Sequence, residues 1–284
     1  MLNGTKNIIN KINNIIKKIR GLIISYLINL ITLIRPSLLQ SFIIKIIYGN
    51  SLERRKFYFL KKFNIFLFLD RFNYLGILIT KGYIYENHTV DLISENLKKD
   101  SIFFDIGANE GYFSTITSRI NYAGKTYAFE PLAQLIPIIK KNFLKNNCTN
   151  CKIFNIGIGE KSYTTKINIF SDTNTGASSI IRKNKFNNKT QSIKIQSLDE
   201  FVLNNKIYNQ IDLIKIDVEG YEVKAIEGMK GLLINKRINT ILIDYHITII
   251  TQQDRKICEQ FIMKCGYKKN KTEDQSMICY KLFL

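Results

Sequence analysis

A chain of 284 residues, 45% of them hydrophobic, can bury one large domain and still carry an extra segment. Its formal charge of +19 suggests a nucleic-acid partner, but 33 of the 42 basic residues are lysine, whereas phosphate-reading sites favour the arginine fork. With so much Ile, Asn and Tyr beside it, the lysine excess reads as a bias of base composition, and we expect no nucleic-acid partner.

Residues 1–52 contain no acid. Ile8, Ile12, Ile15, Ile19, Leu22, Ile23, Tyr26, Leu30 and Leu33 recur at three- and four-residue steps, which predicts an amphipathic helix from Thr5 to Ile34, ended by Arg35-Pro36. Its uncharged part, Gly21 to Ile34, is 14 residues, short of the ~20 of a membrane span. The charged part is too long for a signal peptide. Two readings stay open: contact of residues 5–34 with an anionic membrane surface, or packing on the catalytic domain or a second subunit. Residues 1–50 are therefore set apart as a basic helical extension. Within residues 51–100, the runs Phe57–Leu60 and Phe63–Leu69 predict a hairpin or cap before a lead-in helix.

Residues 101–284 read as alternating strand and helix. Strands are predicted at Ile102–Ile106, Lys125–Glu130, Lys152–Ile158, Ile211–Asp217 and Asn239–Tyr245, with helices through Ile120 and over Leu132–Lys145, Tyr221–Met229 and Gln252–Cys265. Alternating residues at Ser162–Ser171 and Gln191–Gln196 predict a half-wet hairpin around the loop Asp172–Ser179. A last strand, Met277–Leu282, completes a doubly wound, mostly parallel α/β sheet in which it runs antiparallel.

Four of these apolar runs end in an acid: Asp105, Glu130, Asp217 and Asp244. Open parallel sheets bind ligands at the carboxyl ends of their strands. After Asp105 comes Ile106-Gly107-Ala108-Asn109-Glu110-Gly111, a turn that brings backbone N–H groups close to a ligand. It is not the dinucleotide fingerprint, because Asn109 and Tyr112 stand where glycines would be needed. Glu130, at the end of the next strand, is placed to bind both hydroxyls of a ribose. A nucleoside without a phosphate bridge, held by a glycine turn and an acid, suggests S-adenosylmethionine.

Asp105-Ile106-Gly107-Ala108-Asn109-x-Gly111, Phe129-Glu130-Pro131, Ser197-Leu198-Asp199 and above all Lys215-Ile216-Asp217-Val218-Glu219-Gly220-Tyr221-Glu222 resemble the FkbM-type methyltransferases. The likeness runs from about Asn64 to the C-terminus and includes Gly82-Tyr83-Ile84-Tyr85-Glu86 and Gly176-Ala177-Ser178-Ser179. It implies a class I methyltransferase fold and S-adenosylmethionine-dependent O-methylation, with a sugar or glycan hydroxyl as acceptor. It also implies that Glu86 reaches the cofactor, alongside Asp105, Gly107, Ala108, Asn109, Gly111, Glu130 and Asp217.

Methylation of a hydroxyl needs a group to take its proton. Alternation along the strand puts Lys215, Asp217 and Glu219 on one side, and Asp244 and His246 repeat the two-residue step next door. The catalytic candidates are Asp217, Glu219 and His246. Each has a plainer reading: an ion pair of Asp217 with Lys215, a helix-dipole role for Glu219, a structural histidine. Asp217, Glu219, Asp244 and His246 are also hard or borderline metal donors, but the family pattern requires no metal and none is expected. Cys148-x-x-Cys151 lacks the two further ligands of a structural zinc site, and five cysteines, an odd number, favour a reducing, cytoplasmic compartment. Two rivals are an RNA methyltransferase, motivated by the charge, and a membrane adaptor that binds the cofactor without turnover.

Overall fold

The structure is a computed structural model and describes residues 45, 48–170, 175–182, 189–270 and 277–283. The helix expected at Thr5 to Ile34 lies outside the described residues. Met1–Arg54 and Arg55–Leu284 form two compact units, and all that follows concerns the second. Among the described residues no helix is long and apolar enough to cross a membrane.

The central sheet has seven strands. In chain order they are β3 (Ile102–Ile106), β4 (Lys125–Phe129), β5 (Cys151–Phe154), β9 (Ile211–Ile216), β10 (Ile238–Asp244), β11 (Tyr267–Asn270) and β12 (Met277–Leu282), lying side by side as β11-β12-β10-β9-β3-β4-β5. The five from β10 to β5 are parallel, while β12 runs antiparallel to both β10 and β11. This is the doubly wound, mostly parallel α/β sheet expected from the sequence. The chain builds outward from β3 through β4 to β5, then returns to β9 on its other flank. The reversal leaves a crevice at the carboxyl ends of β3 and β9, where such sheets bind ligands.

The apolar runs divide residue by residue between two cores, as a period of two dictates. Phe104, Ile214, Ile241 and Ile243 join one cluster, under α5 (Leu198–Asn204), α6 (Glu222–Glu227), α7 (Lys230–Ile234) and α8 (Gln252–Lys264). Phe103, Leu213, Leu242 and Cys279 join the other, with Val90 and Ile93 of α2 (Asn87–Asn96) and Ile116 of α3 (Tyr112–Ile120).

The predicted hairpin is present as β1 (Arg55–Leu60) and β2 (Ile65–Asp70), turning through a 3-10 turn and Asn64 at φ 52°. Ile65, Leu67 and Leu69 bury themselves in the second core. The outer edge of β2 is closed by α4 (Ile136–Lys145) and the residue that follows it. Asn142 Oδ1 accepts from Phe68 N at 2.6 Å, and Asn146 accepts from Phe66 N at 2.8 Å and donates to Phe66 O at 2.6 Å. Such side-chain caps satisfy backbone groups that would otherwise pair with another strand. After β2, the helix α1 (Tyr74–Thr80) is capped by Asn73, whose Oδ1 accepts from Gly76 N at 2.7 Å.

Three expectations change, the first being that the helix foreseen from Leu132 begins at Ile136. The strand foreseen at Lys152–Ile158 is two, because Asn155 turns aside and donates to Glu130 O and Pro131 O at 2.9 and 3.0 Å. Its second half, β6 (Gly157–Ile158), joins a separate sheet in the order β6-β8-β7 with β7 (Tyr163–Asn168) and β8 (Thr190–Gln196). The helix foreseen at Tyr221–Met229 ends at Glu227, where Gly228 passes so close that a Cβ would stand 1.9 Å from Gly159 O.

Candidate functional site

A cavity of about 260 Å³ opens at the carboxyl ends of β3, β4 and β9. Its floor is the turn Gly107–Glu110, one wall is Glu130–Leu132, another is Asp217–Glu219 with Tyr221, and Asn73–Leu75 with Tyr85 stand opposite. Ile167 and Ile195 of the small sheet line it too, with Gly176, Ser178 and Lys215.

The turn is held by its neighbours. Gly107 N and Ala108 N both donate to Phe129 O at 3.0 Å, which ties the loop after β3 to the end of β4. Gly107 has φ +83°, and a Cβ there would stand 1.9 Å from Asp217 O. Gly82 has φ +85° and open space around it. Gly107→Ala is therefore expected to lose clearly more stability in urea unfolding than Gly82→Ala, which carries only backbone strain of ~1 kcal/mol or more. Equal losses would refute the close approach of the two loops.

Glu130 is 5% exposed. Oε2 accepts from Asn109 N and Oε1 from Leu132 N, both at 2.8 Å. Burial pushes its pKa up to about 8, against the pull of those two N–H groups. Asp105 is fully buried and accepts from Ser114 Oγ at 2.6 Å and Ser114 N at 3.1 Å through Oδ2. Its Oδ1 has no hydrogen-bond partner. Burial raises the Asp105 pKa, and Lys215 opposes the shift.

Lys215, 1% exposed, is the cation around which these acids gather. It donates to Asp217 Oδ2 at 3.1 Å, lies 3.9 Å from Asp105 Oδ1 and rests on the Phe113 ring at 4.7 Å. Burial alone would lower its pKa, but Asp217, Asp105 and Glu86 together hold it above the ordinary lysine range. Glu86 adopts φ +44° ahead of α2, and burial raises its pKa against the pull of Lys215.

Beyond Asp217 the strand has ended, and Glu219 turns at φ +51° yet still faces the cavity. Ser179 Oγ donates to Glu219 O at 2.7 Å, and Arg182 reaches Glu219 Oε2 at 3.5 Å. His246 Nε2 stands 3.5 Å from Glu219 Oε2 and 3.9 Å from Asp217 Oδ1, and Nδ1 is 2.8 Å from Glu222 Oε1. Burial disfavours the charged imidazole, but Glu219, Glu222 and Asp217 outweigh it and hold the pKa up to about 11. As built, His246 is a cation at neutral pH and has no lone pair with which to take a proton. Asp244 is raised to about 6 by burial, with Asp217 adding to the shift and His246 opposing it.

Of the residues singled out in the sequence, Gly107, Ala108, Asn109, Glu130, Asp217 and Glu219 line the cavity. Asp105, Gly111 and Glu86 stand one layer behind the wall, Asp105 and Glu86 acting on it through Lys215 and Gly111 at the start of α3. Asp217 pairs with Lys215 and also faces the cavity. Lys215 is not among the site residues expected from the sequence. Its signal was a charge inside an apolar strand. Tyr85 in the wall and Glu110 beneath it carried no comparable sign.

The cavity thus offers a buried carboxylate at Glu130, the tight turn that begins at Gly107, and more acids than cations around Lys215.

Residues 105–269 match the methyltransferase FkbM domain. A hexuronic acid methyltransferase, AglP, of Haloferax volcanii is 23% identical over 190 residues, which are 66% of this chain and 74% of that protein. A crystal structure of a methyltransferase FkbM from Methylobacillus flagellatus KT is 15% identical with a TM-score of 0.47, and the match covers 65% of this chain but 44% of that one. This chain thus spans less than half the length of that protein. A Streptococcus mutans protein described as a methyltransferase and solved with SAH has a TM-score of 0.41 at 13% identity, over 69% of this chain and 97% of the other.

Proposed function

Since the chain belongs to the FkbM methyltransferase family, we propose that it transfers a methyl group from S-adenosylmethionine to a hydroxyl of a sugar or glycan. The observation that carries this reading is Glu130, a buried carboxylate fixed by Asn109 N and Leu132 N at the mouth of the glycine turn. Glu130 would hold the ribose hydroxyls. Asp217 would attract the cationic amino-acid end, with Asp105 and Glu86 adding negative charge from behind it around Lys215. Gly107, Ala108, Asn109 and Gly111 shape the turn. When bound, the cofactor supplies a methyl group on a positively charged sulfur.

The chain's own part is to hold the acceptor oxygen in line and to take its proton. Positioning can supply ~7–11 kcal/mol, and a placed base typically ~10²–10⁴-fold. Asp217 and Glu219 are the cavity carboxylates on the β9 side, and His246 fixes Glu219 rather than accepting the proton itself. A sugar acceptor is supported by the relative whose name is hexuronic acid methyltransferase. It is also supported by Tyr74, 58% exposed at the cavity, whose ring offers an apolar face. The free thiols fit a cytoplasmic setting, and residues 5–34 would supply any contact with an anionic membrane.

The test is transfer of labelled methyl from S-adenosylmethionine to a panel of sugars, glycolipids and RNA. Label is expected in a sugar-containing acceptor, with kcat lowered ~10²–10⁴-fold in Asp217→Asn. Label only in RNA would reject the sugar reading.

A further inference from the structure

We propose that Asp217, Glu219 and His246 form a divalent-cation site on the cavity rim, whose open positions take the acceptor hydroxyl. One donor atom from each residue lies within 4.8 Å of the other two. His246 Nε2 is the shared vertex, 3.5 Å from Glu219 Oε2 and 3.9 Å from Asp217 Oδ1. Donors bound to one ion at ~2.1 Å stand ~3 Å apart when adjacent and ~4.2 Å apart when opposite, so the two contacts of His246 need contract by about half an ångström and about one ångström. Carboxylates suit magnesium and manganese, and the imidazole tilts the set towards transition metals, which makes Mn²⁺ the natural probe.

Glu222 is the second observation, independent of that spacing. It is fully buried, its carboxylate is turned to the cluster with Oε1 at 2.8 Å from His246 Nδ1, and its Oε2 has no partner. A carboxylate on the far nitrogen of an imidazole fixes the ring so that the near nitrogen faces an ion once that ion has displaced the Nε2 proton to water, the usual outer partner of a metal-bound histidine. Glu222 is itself anchored, accepting from Gly220 N at 3.0 Å. Arg182 does not occupy Glu219 fully: it stands at 3.5 Å from Oε2 and donates to Ala177 O at 2.7 Å. The groups facing the cluster are Asp105, Glu86, Glu222 and Asp244 against Lys215 and Arg182, an excess of negative charge.

The ion's role rests on the methyl-transfer reading above, whereas its binding does not. With the ion bound, water takes the place of Asp217 and Glu219 as proton acceptor: a hydroxyl oxygen that shares a lone pair with the ion loses its proton to water more readily and keeps an electron pair for the methyl carbon. The ion does not change oxidation state.

The experiment titrates the full chain with Mn²⁺ and reads the free ion by electron paramagnetic resonance. One ion per chain is expected, bound at least about tenfold more weakly by Glu219→Gln and His246→Ala, and ~10–100-fold more weakly by Glu222→Gln. Glu259→Gln, an acid of α8 paired with Arg255 and Lys269, should bind as the parent does. An undiminished free signal with protein in excess, or equal binding by the three cluster variants, overturns the site. A second readout separates this inference from the proposed function. Binding at the triad without methyl transfer to any sugar upholds the site and removes the acceptor reading. Sugar methylation at full rate in EDTA overturns the ion's role and leaves the acceptor reading intact.

Discussion

Glu130→Gln is expected to weaken S-adenosylmethionine binding about 100-fold and to abolish the pH dependence of that binding. Each hydrogen bond to a charged group is worth ~1.5–3 kcal/mol, and the ribose would offer two hydroxyl donors to one carboxylate. Burial raises the pKa of Glu130 from 4.5 to about 8 in the protein without ligand. Hydroxyls that donate to the carboxylate favour its ionised form, so binding releases a proton. Affinity should therefore rise from pH 6 towards pH 8, by at most about tenfold per unit, and level off above. Stability without cofactor follows the opposite sign. A folded pKa above the unfolded one gives a contribution that is whole below about 4.5 and is lost as the pH rises through about 8. Calorimetric titration with S-adenosylmethionine at pH 6, 7 and 8 decides the matter. Affinity that ignores both pH and the substitution would remove Glu130 from the cofactor site.

Arg55→Met should have the largest effect on folding. Arg55 and Glu110 are 1% and 0% exposed, and their bidentate contact at 2.9 and 2.5 Å ties the first residue of β1 to the glycine turn. Asn73 Nδ2 donates to the same carboxylate at 2.6 Å, and Asn142 Nδ2 to Glu110 O at 2.8 Å. Removing the arginine alone leaves a buried charge with one neutral donor, which costs about 3–5 kcal/mol. Removing both charges, in Arg55→Met with Glu110→Met, should recover much of that loss, because an apolar pair of similar volume replaces a buried ion pair at little cost. Recovery will be incomplete, since Asn73 then loses its acceptor, worth about 1–3 kcal/mol. Urea unfolding of the single and double variants measures the coupling. A loss below ~1 kcal/mol in Arg55→Met would mean that the hairpin does not brace the turn.

The central sheet was legible in the sequence for a physical reason. A parallel strand buried on both faces must be apolar throughout, so the runs ending at Asp105, Glu130, Asp217 and Asp244 stand out, and their acids mark the carboxyl edge. What escaped the sequence depends on distant partners. Arg55 gains its meaning from Glu110, 55 residues on, and nothing local distinguishes it from the other basic residues. Asn155 splits a strand because it can reach the carbonyls of Glu130 and Pro131 across the fold. His246 looked like a base with an ordinary pKa until three carboxylates were found around it. Local periodicity carries the scaffold, whereas the protonation states belong to tertiary contacts.

The asparagine clamp on β2 also bears on synthesis. Phe66 and Phe68 depend on side chains 80 and 74 residues further along the chain. At about 5–20 residues per second, the hairpin waits roughly 4–16 s on the ribosome with one edge bare and its apolar face uncovered. The exposed Lys56, Lys61 and Lys62 at its strand and turn are the kind of charge that keeps a waiting edge from pairing with a neighbouring nascent chain.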